Sequence, residues 1–87
     1  MKGDREAFDF IADCTAYLDQ SSDDFAPKTI PVAARTPVLA AVADDETRKL
    51  NGQNVPVVRF TIGTGGWCWI PRRDFARLAV KARRDWD

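Results

Sequence analysis

Residues 62–75, IGTGGWCWIPRRDF, gather the side chains of this chain whose types could do chemistry. Cys68 lies between Trp67 and Trp69, a glycine cluster precedes them, and Arg72 and Arg73 follow. A thiol near guanidinium groups can act as a nucleophile, because positive charge lowers its pKa and favours the reactive thiolate. A glycine-rich turn can cradle a phosphate with its backbone N–H groups. Neither arrangement is completed here. The chain has no histidine, which is the usual base for a nucleophilic thiol and the commonest metal ligand near neutral pH. A phosphate loop opens directly onto a helix, whereas the residues after Gly66 read as a strand.

Metal chemistry is equally poorly supplied. Cys14 and Cys68 alone cannot provide a structural zinc set. The acidic run Asp44, Asp45, Glu46 lacks calcium-loop spacing and reads as a solvated loop. The two cysteines read as free, buried thiols. The expectation is a protein that is not an enzyme and holds no metal and no cofactor.

Binding is better provided for. At 100° per residue, Arg73, Arg77, Lys81 and Arg84 fall on one side of a helix read from PRRDFARLAVKARRDWD, opposite the stripe Phe75, Leu78, Ala79, Ala82 and Trp86. These four cations are the candidate partner-binding residues. The partner expected is another protein, steered by complementary charge. Nucleic acid is the alternative, with the ridge contacting phosphates and Trp67 and Trp69 stacking on unpaired bases if their face is open. The net charge of zero weighs against that alternative, although its distribution is uneven. Residues 1–25 carry two bases against seven acids, and residues 71–87 carry six bases against three acids. Complementary acidic and basic ends make self-association into a homodimer plausible.

The elements that position these residues follow from periodicity. VPVVRFTI and WCWI are rich in β-branched and aromatic residues and flank a Gly-Thr-Gly-Gly turn, which predicts a β-hairpin. With Thr64-Gly65 as a two-residue loop, Ile62 faces Trp67, Thr61 faces Cys68 and Phe60 faces Trp69. Val58, Phe60, Ile62, Trp67 and Trp69 then share one face, to be covered by the final helix. In the first segment, Asp4 can cap a helix whose apolar residues Ala7, Phe8, Ile11, Cys14, Thr15 and Leu18 recur at three and four. The middle reads as strands around residues 30 and 40, followed by an irregular polar loop over 44–54. A helix over 37–50, stopped at Asn51-Gly52, is the competing reading. The expected core comprises Phe8, Ile11, Leu18, Phe60, Ile62, Trp69, Phe75 and Leu78.

Together these readings predict a small α+β domain over residues 1–87. An antiparallel sheet of about three to four strands would carry an N-terminal and a C-terminal helix. At 87 residues the chain has room for one modest core. No segment reaches the eighteen or so apolar residues needed to span a bilayer, and the first ten residues hold no apolar run of a leader, so a cytoplasmic location away from membranes is expected. The functional expectation is a non-catalytic regulator, inhibitor or adaptor, of the kind bacteria and their phages encode.

Overall fold

The computed structural model describes residues 5–18, 28–63 and 65–82. Asp4, Arg84 and Trp86 lie outside these, as does the connection read after residue 18. The described chain is almost entirely β, and the two-helix α+β expectation is corrected. Eight antiparallel strands form one sheet: β1 (Glu6–Phe10), β2 (Cys14–Leu18), β3 (Thr29–Val32), β4 (Pro37–Ala40), β5 (Glu46–Leu50), β6 (Gln53–Thr61), β7 (Trp67–Pro71) and β8 (Ala79–Lys81). The single helix among the described residues, α1 (Arg72–Leu78), lies between β7 and β8.

The first segment satisfies two periods at once. Its apolar residues recur at three and four, yet Phe8 and Phe10, then Cys14, Ala16 and Leu18, also alternate. Pairing with distant strands selects the alternation. β1 pairs with β4 through Glu6↔Ala40 to Asp9↔Pro37, and β2 pairs with β3 through Cys14↔Val32 to Tyr17↔Thr29. The two pairings keep one register across residues 11–13, so they form one long antiparallel ribbon that bends midway. At the bend the Phe10 carbonyl accepts from the Arg35 N–H at 2.6 Å, and Asp13 Oδ1 accepts from the Ala34 N–H at 2.7 Å. Arg35 adopts a left-handed φ of 71° to make this turn. Ile11, expected in the core, sits at the bend and is 58% exposed.

β2 also pairs with β7, β7 with β6, and β6 with β4. Because β1 runs on into β2, the sheet returns upon itself and encloses a core. β3 ends one edge of the strand order and β8 the other. Pro31 lies in β3, where its missing N–H needs no ladder partner toward solvent. The residues read as a polar loop over 44–54 are instead β5 and the start of β6. Asn51 and Gly52, at φ 53° and 79°, make the two-residue turn between them, the paired positive φ values that such hairpins favour.

The β6–β7 hairpin forms as expected but one residue out of the expected register. Thr61 faces Trp67, Phe60 faces Cys68 and Arg59 faces Trp69. The loop spans residues 62–66, with the Gly65 N–H donating to the Ile62 carbonyl at 3.0 Å and Gly63 at φ 57°. A one-residue slip exchanges the faces of one strand relative to the other. The inner face therefore holds Val58, Phe60, Cys68 and Ile70, packed with Phe10, Ala16, Val32, Val38, Ala40 and Phe75. Phe8, Leu18, Ile62 and Leu78 pack partly buried against this cluster. The two tryptophans do share a face, but it is the outer one.

The final helix starts where expected, after Pro71, and stops at Leu78. Ala79 is already extended, at φ −119° and ψ 142°. The next residues are drawn into pairing with β1, Phe8↔Lys81 to Phe10↔Ala79, and the ladder hydrogen bonds outweigh the helical preference of the alanines. One turn further would lift Val80 from the sheet. What the helix supplies is Phe75, whose ring meets Phe8 edge-on at 5.0 Å and Phe10 at 6.0 Å. Phe10 in turn meets Phe60 at 5.4 Å. Edge-to-face aromatic contacts of this kind add to area burial. Phe75→Ala is expected to cost about 3 to 5 kcal/mol, by lost transfer energy and the cavity left behind. Urea denaturation reads this directly, and a loss under about 1 kcal/mol would mean that Phe75 does not fill the sheet.

Candidate partner-binding surface

The four cations expected to form one ridge are divided between elements. Arg73 and Arg77 lie on α1 and are exposed, Lys81 lies on β8, and Arg84 is outside the described residues. Ending the helix at Leu78 breaks the 100° progression that placed them together. Arg77 donates to Asp74 at 3.0 Å, and Lys81 pairs with Glu6 at 3.1 Å. Such exposed pairs contribute little to stability, but they lower the charge that each residue offers a partner. Among the described residues, Arg73 keeps its charge without an ion-pair partner.

Arg72, next to that set, has a structural task. Its guanidinium donates to the carbonyls of Asp44 at 2.8 Å, Val42 at 3.2 Å and Val57 at 3.5 Å. It thereby ties the 41–45 connection to β6, so that β4 and β5 line the same edge of that strand. A planar fork of donors suits several carbonyls at once. Of the acidic run 44–46, the last residue begins β5. Glu46 pairs with Arg48 at 2.8 Å and lies 3.9 Å from Arg59. Among the described residues, no group of three or more His, Cys, Asp or Glu side chains converges as a metal site.

The register of the sheet assembles a surface that periodicity alone does not show. One row on the outer face runs Ala7, Leu39, Thr61, Trp67 across β1, β4, β6 and β7. Continuing the β1–β4 register by one residue sets Arg5 beside Ala41, whose N–H donates to the Arg59 carbonyl at 2.9 Å. Arg59 faces Trp69, and Trp69 faces Tyr17. The second row is therefore Arg5, Ala41, Arg59, Trp69, Tyr17. The Arg59 guanidinium lies 4.5 Å and that of Arg5 5.4 Å from the centre of the Trp67 ring, within cation–π range. Tyr17 stacks on Trp69 at 4.5 Å and 20°, which leaves Trp69 only 5% exposed.

Beyond this cation–aromatic half, exposed apolar residues on the outer face surround Asp9, which pairs with Pro37 on one side and Val80 on the other. Leu39 is 41% and Val80 46% exposed, and Pro37 is exposed beside them. Ala7, Pro37, Val38, Leu39 and Gly63 line a shallow depression of about 280 Å³. A second hollow of about 460 Å³, at the bend, is lined by Asp9, Phe10, Ile11 and Arg35. The sequence offered one clue to the outer face, Arg59 standing between Val58 and Phe60 in a strand. Which residues join Arg59 depends on the hairpin register, and the five-residue loop conceals that.

The thiols are free. Cys68 is buried in the inner cluster and contacts the Gly66 carbonyl through Sγ at 4.0 Å. No helix among the described residues is long and apolar enough to cross a membrane. Comparison with protein-family models, characterised proteins and solved structures found no match, so the functional reading rests on the geometry.

Burial, and then the carboxylates of Asp74 and Asp13, push the Cys14 thiol above its ordinary value. A raised thiol pKa leaves less thiolate at a given pH. At pH 8, iodoacetamide is expected to modify Cys14 of the native protein more slowly than an unstructured cysteine peptide. Asp74→Asn removes one source of the shift, so it should quicken the reaction. Peptide mapping of the modified protein reads both rates, and Cys14 reacting as fast as the free peptide would contradict this environment.

Proposed function

We propose that this protein is a non-catalytic binding domain that docks another protein on the outer face of its sheet. The observation that carries the reading is the outer-face patch of exposed Leu39, Val80 and Pro37 with half-buried Ala7, grouped around Asp9, which faces both Pro37 and Val80, and continued by the Arg5–Trp67–Arg59 group. Contiguous apolar surface bordered by polar residues is characteristic of interaction sites, and aromatic and arginine side chains are enriched where interfaces derive their energy. Arg48 pairs with Glu46 and Arg59 lies 3.9 Å from it, whereas Arg5 and Arg73 are exposed and have no carboxylate partner among the described residues. The charge of those two cations favours an acidic partner. Arg73, Arg77 and Lys81 act at the rim, where charges govern association rate more than affinity. A regulator, inhibitor or adaptor would work in this way, without a catalytic centre.

Single-stranded nucleic acid is the second reading. It draws on the position of Trp67 and Trp69, which lie outward beside arginines and not beneath a helix. Aromatic side chains interleaved with cations on a sheet are the usual means of holding unpaired bases. Binding of that class weakens steeply with salt, with a slope of about −0.7 per phosphate contacted.

The double variant Leu39→Gln, Val80→Thr tests the docking face. Both positions are partly exposed, and threonine preserves the branched shape of valine, so stability should change by less than about 1 kcal/mol. Co-precipitation from the native host is expected to recover a partner with the wild type and with Lys28→Gln, at an exposed position outside this face, and to lose it with the double variant. Equal recovery by all three would remove the apolar strip from function. A two-chain mass in sedimentation equilibrium, abolished by the same double variant, would assign the strip to self-association.

A further inference from the structure

β5 has a strand on one side only. It pairs with β6 from Glu46↔Val57 to Leu50↔Gln53, and among the described residues no strand lies along its other edge. The two-residue Asn51-Gly52 turn makes Leu50 and Gln53 the hydrogen-bonded pair that closes this hairpin. Bonded pairs then alternate along the ladder, at Arg48↔Val55 and Glu46↔Val57. Thr47 and Lys49, which lie between them, turn their backbone N–H and C=O groups away from β6. Pro56 is the partner of Thr47, at a position where its missing N–H takes no bond from the ladder. The Thr47 carbonyl accepts from the Arg48 guanidinium at 3.0 Å at the surface, and its second lone pair still points along the open edge.

Exposed edges are usually protected by charge. Along β5 the charges stand in an order that has the opposite effect. Residues 45–49 read DETRK, two acids and two bases about a central threonine. Antiparallel pairing of this strand with its own copy, about a two-fold axis at Thr47, sets Glu46 opposite Arg48 and Asp45 opposite Lys49 on both sides of the axis. Centred one residue either way, Glu46 or Arg48 would face its own copy, like charge against like, which destabilises a strand pair. The register with matched charges is also one in which the outward N–H and C=O groups of Thr47 meet those of the second Thr47 as a bonded pair. Asp45, Thr47 and Lys49 are exposed, and among the described residues Asp45 and Lys49 have no ion-pair partner. Glu46 and Arg48 already hold one another at 2.8 Å. Pairing requires neither to let go, because a carboxylate and a guanidinium each take several partners.

We propose that the open edge of β5 is a self-association site, occupied by β5 of a second copy of this chain in the antiparallel register centred on Thr47. Arg72 holds the carbonyls of Val42 and Asp44, so the start of β5 is positioned before two copies meet. The two-fold axis stands perpendicular to the sheet and keeps the outer faces of both copies on the same side. Self-association therefore leaves the docking face inferred above open and presents it twice, which raises avidity for a partner with two matching sites. The contact itself does not depend on that face. A five-residue edge is much smaller than a standard interface of roughly 1,600 Å², so the dimer belongs to the weak, concentration-dependent class.

Sedimentation equilibrium of the whole protein, from about 10 µM to about 1 mM, covers the range of such complexes. A two-chain mass is expected at the upper end and should recede with added salt, as ion pairs at a surface are screened. Asp45→Lys and Lys49→Asp each turn two contacts across the axis from opposite to like charge, and each should weaken association about tenfold. Mixed in equal amounts, the two variants restore the match, since one chain carries only bases at 45 and 49 and the other only acids. The mixture is expected to regain the two-chain mass of the wild type. Lys28→Gln, at an exposed position away from β5, should change nothing. Positions 45 and 49 are exposed, so these variants keep the fold, which unchanged circular dichroism verifies.

A single-chain mass at every concentration would overturn the proposal. So would a two-chain mass that ignores both charge variants and is lost in Leu39→Gln, Val80→Thr, which would move self-association to the outer face. Weakening in both charge variants without recovery in their mixture would overturn the register centred on Thr47. The docking face is read separately, by partner recovery, so failure of one reading leaves the other standing.

Discussion

The antiparallel ribbon formed by β1–β2 against β3–β4 keeps a single register through its bend at residues 11–13, and the rest of the structure depends on that continuity. If the two halves paired in different registers, the alternation of Phe8 and Phe10 could not continue as that of Cys14, Ala16 and Leu18. With one register, both halves present their apolar residues to the same enclosed side. The bend then brings β2 to β7 while β1 remains on β4, and the sheet encloses its own core. Phe75 fills the space that closure creates, held by edge contacts with Phe8 and Phe10. A short helix suffices for this, because one aromatic ring reaches the centre of so small a core.

Closure also explains why the outer face is so unlike a plain solvated surface. In a chain of 87 residues, the enclosed volume takes only part of the apolar complement, and Ala41, Val57 and Trp69 are buried outside the inner cluster. On this outer face the Arg5 and Arg59 guanidiniums lie over Trp67, and Tyr17 stacks on Trp69. Arginine stems can shield apolar surface while their charged heads stay at the rim. The same layer both protects the sheet and holds cations in fixed positions. The proposed docking face draws on this same set of side chains.

Arg72 illustrates how a residue that reads as part of a basic surface can belong to the interior logic of the fold. It follows Pro71 and precedes Arg73, and nothing in the order of residues separates it from its neighbour. The structure gives Arg72 three backbone carbonyls and leaves Arg73 at the surface. A guanidinium that satisfies carbonyls of an irregular connection replaces the ladder bonds which that connection lacks. The charge of the segment is therefore smaller, as seen by a partner, than its composition suggests.

Several features were fixed by residue order and needed no distant contact. The strands at β6 and β7, the turn between them, the strands near residues 30 and 40, and the start of the helix after Pro71 all follow from local chemistry: β-branched and aromatic runs, glycines, and a proline that cannot continue a strand ladder. The burial of Phe60 and Phe75 and the shared face of the two tryptophans were legible in the same way. The lack of histidine likewise bounded the chemistry available. The tertiary structure decided the rest. It made β1 and β2 strands where spacing at three and four also fitted a helix, because a segment that satisfies both periods takes the one its neighbours can pair with. It ended α1 at Leu78, because β1 had an open edge that Ala79–Lys81 could fill. It set the hairpin one residue from the simplest loop, and since side chains alternate with a period of two, that single step moved the tryptophans from the inner face to the outer face beside Arg59, where Trp69 is still buried, stacked with Tyr17.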